Sequence, residues 1–70
     1  MNSNMLKAQM IMSGITPRVL SEKLGINAST YYKKLRGDSE FTQSEICEIK
    51  HILSLSNDLV CSIFFASPVS

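Results

Sequence analysis

Apolar residues recur along the chain at three- and four-residue spacing in short clusters, each cut off by a glycine or a serine-containing break. That is the pattern of short amphipathic helices. The first cluster predicts a helix from Asn4 to Ser13, with Met5, Leu6, Gln9 and Met12 near one stripe and Gly14 as its left-handed stop. Thr16 then Pro17 reads as a cap residue followed by a proline at the first helical position, where its missing N–H costs nothing. The second helix is brief, because Val19, Leu20 and Leu24 give its apolar face and Gly25 follows directly. Ile26 is expected as a single buried residue in the turn and Asn27 as the next N-cap. A third helix then runs Ala28 to Arg36, closed by Gly37.

The second half continues in the same way. Thr42 and Glu45 have capping-box spacing for a helix from Gln43 to about Leu53, with Phe41 at the staple position against Ile46, and Ile46, Ile49, Ile52 and Leu53 as the core face. Ser56 is expected to cap a last short helix in which Asp58 lies near the positive end of the dipole and Leu59, Val60, Ile63 and Phe64 are apolar. The fold class is therefore all-α, five helices in one domain spanning residues 1–70. A chain of this length buries little surface, and a helical bundle is its economical solution.

The two faces of the third helix separate by the helical period. Tyr31 and Leu35 continue the apolar stripe of Leu20, Leu24 and Ile26, while Ser29, Tyr32, Lys33 and Arg36 form a polar and basic stripe on the other side. Two short helices joined through a glycine-containing turn, here over residues 16–37, are the signature of a helix-turn-helix, whose second helix enters the major groove of DNA. On that geometry Ala28, Ser29, Tyr32 and Lys33 are the candidate base-reading residues. Ala28 has a methyl for thymine, Ser29 a hydroxyl, Tyr32 a ring or hydroxyl, and Lys33 a donor for guanine. Arg18, Asn27 and Arg36 are the candidate phosphate contacts.

Charge supports this division. The net charge is only +1, but residues 1–37 carry Lys7, Arg18, Lys23, Lys33, Lys34 and Arg36 against Glu22, a net +5, whereas residues 38–70 carry Lys50 against five acids, a net −4. Such asymmetry points one end at a polyanion. Cys47 and Cys61 lie in apolar-periodic stretches without metal-site spacing and are expected as buried free thiols, which implies a reducing, cytoplasmic setting. His51 lies near the apolar stripe and is expected to be structural, with no metal and no cofactor implied. Neither a signal peptide nor a membrane span is evident, and no phosphate loop, carboxylate pair or activated nucleophile suggests an enzyme.

The stretch Thr16 to Gly37, T-P-x-x-L-S-x-x-L-G-I-N-x-x-T-x-x-x-x-L-x-G, resembles the helix-turn-helix of the phage lambda repressor and Cro family, the XRE type. Phe41–Thr42, the helix ending in L-S-L-S and the final I-F-F are similar to short phage and prophage repressors of Gram-positive bacteria, so the resemblance covers nearly the whole chain. It implies a five-helix lambda-repressor-like DNA-binding domain and operator binding as a homodimer. It also implies base reading from the first half of the third helix, onto which Ala28, Ser29, Tyr32 and Lys33 map. Two positions depart from the family pattern. Pro17 stands where a phosphate-contacting glutamine is usual, and Ser21 stands where a small alanine is usual.

The implied partner is a double-stranded DNA operator. A second copy is expected to dock through the C-terminal helix and tail, Leu59 to Val69, whose apolar residues exceed what one short helix hides; the alternative is that Phe64 and Phe65 close the monomer core. No small-molecule effector is evident. The same fold also serves protein-interaction adaptors and antitoxin-like modules, for which the acidic half and apolar tail would be the working surface.

Overall fold

A computed structural model of the chain describes residues 1–65. These form α1 (Ser3–Ser13), α2 (Pro17–Leu24), α3 (Ala28–Arg36), α4 (Gln43–Ile52) and α5 (Asn57–Val60), the last running on as a π-helical turn over Cys61–Phe65. Among the described residues there is no strand, and no helix is long and apolar enough to cross a membrane.

Each α-helix opens with the same device. Asn2, Thr16, Asn27, Thr42 and Ser56 stand in extended conformation, and the side-chain oxygen of each accepts an N–H three residues on, from Met5, Val19, Thr30, Glu45 and Leu59. One such cap contributes about 1 kcal/mol, which matters in helices too short to persist alone. At Thr42 the box is complete, since Glu45 Oε1 accepts the Thr42 N–H at 2.8 Å in return. The first helix begins one residue earlier than its pattern predicts, because Asn2 supplies the cap. The fourth ends at Ile52, with Leu53 as its cap residue.

The ends of α1 to α4 are equally uniform. A residue in the left-handed conformation (Gly14, Gly25, Gly37 and Ser54 in turn) donates its N–H back to the carbonyl three residues before. The residue after it donates back across five: Ile15 to Met10, Ile26 to Ser21, Asp38 to Lys33 and Leu55 to Lys50. Ile15 and Ile26 then pack half-buried against the core and Leu55 is buried.

The core gathers Leu6 and Met10 of α1, Leu20 of α2, Tyr31 of α3, Phe41, Ile49 and Leu53 around α4, and Leu55, Val60 and Ile63. Tyr31 is its hub. The ring is fully buried, its hydroxyl donates to Met10 Sδ at 3.2 Å, and Phe41 meets it edge-on at 6.1 Å. Burial, with Tyr32 adjoining, pushes the Tyr31 phenol up to about 12, so it stays neutral across the ordinary pH range. Buried Ser21 satisfies its hydroxyl by donating to the Pro17 carbonyl at 2.7 Å, and its small size suits the packing of α2 on α3. The Asn2 N–H donates to the Ile63 carbonyl at 2.7 Å, tying the start of α1 to the π-helical turn.

Several expected burials are corrected. In α1 the buried pair is Leu6 and Met10, and Met12 is 78% exposed; apolar residues occur all around this helix, so packing under Tyr31 selected the inner face. Val19 is exposed, leaving Leu20 fully buried and Leu24 half-buried to anchor α2. Cys47, a free thiol, and His51 of α4 are exposed because the inner side of the helix is filled by Ile49, with Leu53 just past its end; Cys61, also a free thiol, is exposed at the start of the π-helical turn, where the neighbouring Val60 and Ile63 take the buried positions. The proposed dimer tail, Leu59 to Val69, extends past residue 65 and lies partly outside the described residues.

Candidate nucleic-acid interface

The turn Gly25–Ile26–Asn27 determines how α3 is presented. Gly25 at φ 73° reverses the chain, Ile26 packs inward, and Asn27 starts the next helix with Oδ1 on the Thr30 N–H at 2.8 Å. With Tyr31 buried beneath it and Leu35 half-buried, α3 turns Ala28, Ser29, Tyr32, Lys33 and Arg36 outward, all of them exposed. Four of these, Ser29, Tyr32, Lys33 and Arg36, are at the spacing of one helix face.

Tyr32 does two things at once. Its ring packs edge-on to Tyr31 with centroids 5.4 Å apart, yet the residue is 44% exposed. It also lines a shallow, mostly apolar cleft of about 370 Å³ with Ile11, Pro17 and Leu35. Because Pro17 and Tyr32 share that cleft, the start of α2, with Arg18, lies beside the middle of α3.

The cations divide into paired and unpaired. Arg18 Nε stands 3.6 Å from Glu22 Oε1 one turn on, a loose pair in which both side chains are solvated. Arg36 donates through Nη2 and Nε to Asp38 Oδ2, at 2.9 and 3.3 Å. Lys34 folds down against the protein: Nζ donates to Glu45 Oε1 at 2.9 Å and to the Glu40 carbonyl at 3.1 Å, and it lies over the Phe41 ring. With 11% and 14% of their side chains exposed, Lys34 and Glu45 form a strut between α3 and α4. Burial pushes the Glu45 carboxyl up, but hydrogen bonds from Thr42 and Lys34 and the ammonium charge outweigh it and hold the group below the ordinary carboxylate value. Lys7, Lys23 and Lys33 make no ion pair among the described residues.

The halves of the chain are thus not electrostatically independent, since Asp38 and Glu45 reach back to neutralise Arg36 and Lys34. Lys34 and Asp38 were missed in the sequence reading. The stripe itself was the available signal: it spans the arc from Tyr32 to Lys33, and at about 100° per residue Lys34 falls a further step round the helix, outside it. Elsewhere, Cys47 and His51, one turn apart on α4, line an open cleft with Lys23, Glu48 and Ile52. Among the described residues no three His, Cys, Asp or Glu side chains converge as a metal site requires.

These elements define a small all-α domain that displays one polar, basic helix face, set by a capped three-residue turn and a buried tyrosine. No protein-family model, curated protein or solved structure matches the chain.

Proposed function

We propose that the chain is a helix-turn-helix DNA-binding domain of the lambda repressor and Cro (XRE) kind, a phage-type repressor that reads operator half-sites as a homodimer. The supporting observation is the division of α3, with Tyr31 fully buried on one side and Ser29, Tyr32, Lys33 and Arg36 exposed on the other. A major groove admits such a helix, and the residues of its first turns reach base edges. Lys33, exposed and unpaired among the described residues, is the principal base-reading donor; Ala28, Ser29 and Tyr32 complete the contact. Arg18 and Arg36 hold phosphates, and Asn27, whose Oδ1 is committed to its cap, retains an amide donor for another.

Selection of bound fragments from random duplex DNA, followed by a salt titration, tests the reading. Lys33→Ala is expected to relax preference at one base position by about 1–3 kcal/mol of discrimination, while Arg36→Ala weakens all sequences alike. A protein that left every duplex unbound at low ionic strength would sink the proposal. One feature favours a second reading, an adaptor or antitoxin-like module: Ile11 and Met12 are 80% and 78% exposed at the end of α1. Stable co-purification with a second protein, without DNA affinity, would select it.

A further inference from the structure

Asp38 breaks the rule that the other helix ends keep. The residue after the left-handed turn is apolar and packed inward at α1, α2 and α4, as Ile15, Ile26 and Leu55, but after α3 it is an exposed carboxylate. An anion at the C-terminal end of a helix is also opposed by the helix dipole. Neither packing nor helix stability therefore accounts for it, whereas the neighbouring arginine does.

The backbone of Asp38 is fixed by its N–H on the Lys33 carbonyl at 2.9 Å, after Gly37 at φ 93° has turned the chain back over the last turn of α3. From there Oδ2 takes both the Nη2–H and the Nε–H of Arg36. Those two groups form one edge of the guanidinium, a fork with which arginine also grips a phosphate. While joined, the pair carries no net charge and releases no counterion from DNA. Both side chains are solvated, 63% and 60% exposed, so the pair is weak and easily parted.

We infer that Asp38 is an internal phosphate mimic that occupies the gripping edge of Arg36, lowering the sequence-independent hold on DNA and leaving recognition weighted towards Lys33. This rests on the DNA-binding reading above. A phosphate arriving at Arg36 must displace the carboxylate or tolerate it at close range, and either course weakens the contact.

The test is a double-mutant cycle, with fluorescence anisotropy of a labelled duplex of mixed sequence titrated with wild type, Asp38→Asn, Arg36→Ala and the double variant across a range of salt. Asp38→Asn is expected to tighten binding about three- to tenfold at low salt and steepen the salt slope by about one. In the Arg36→Ala background the same change should gain clearly less. Asp38→Ser serves as a second variant, with circular dichroism confirming that each keeps its helices. Equal gains in both backgrounds would reduce Asp38 to bulk charge and overturn the inference. Weaker binding by Asp38→Asn would overturn it too, making Asp38 a support for Arg36. Binding by wild type without any gain in the variant defeats the inference alone; no binding by any of the four proteins defeats the DNA-binding reading with it.

Discussion

Ser54 occupies the left-handed position at the end of α4, at φ 53°, where the three preceding helices each have glycine. A Cβ in that conformation crowds the backbone, at a cost of about 1 kcal/mol, part of which glycine would give back as extra freedom in the unfolded chain. Ser54→Gly is therefore expected to stabilise the domain by about 0.5 kcal/mol, seen as a higher urea midpoint with an unchanged slope. A lower midpoint would mean that the serine side chain contributes something the backbone pattern does not reveal. The stop after α4 was legible only through its neighbours, since L-S-L-S lacks the glycine that marks the other ends, and the predicted boundary accordingly ran on to Leu53.

At the scale of elements, the strut between α3 and α4 ties the outward helix to the core. Glu45 serves both the Thr42 cap and Lys34, and its folded pKa lies below its unfolded value. A carboxyl shifted downward adds stability that is fully present above its unfolded pKa and is lost as pH falls through the folded one. Thermal midpoints followed from neutral pH down to about pH 3 should therefore fall more steeply for wild type than for Glu45→Gln. Glutamine keeps the reciprocal capping bond but not the charge, so parallel curves would show that the ion pair adds no pH-dependent stability. The capping box was legible because its members are three residues apart. Lys34, eleven residues from Glu45, was not, because only the packing of α4 beside α3 brings them together.

For the whole molecule, the open question left by the tail is divided between two phenylalanines. Phe64 is half-buried and meets Phe41 edge-on at 5.9 Å, whereas Phe65 is 58% exposed. If the proposed homodimer forms through this end, Phe65 is the described residue most able to carry it. Phe65→Ser should then shift sedimentation equilibrium towards monomer and lower the affinity for paired half-sites more than for a single one, with the fold retained. An unchanged monomer–dimer equilibrium would move the contact elsewhere.

What the amino-acid order determined by itself is the series of helices, their caps and their stops. Those signals act through hydrogen bonds between residues three to five apart, so Thr16–Pro17, Asn27 and Gly37 stand where they were expected. Tertiary packing decided which side of each helix turned inward and which charges met. Met10 went in, one turn on from Leu6 and under the Tyr31 hydroxyl, while Met12 on another side of the helix stayed out, and His51 and both cysteines stayed at the surface because aliphatic residues filled the space beneath. Helical period narrows the face without choosing among several apolar residues, and ion pairs such as Lys34 with Glu45 depend on distances that exist only once the helices have packed.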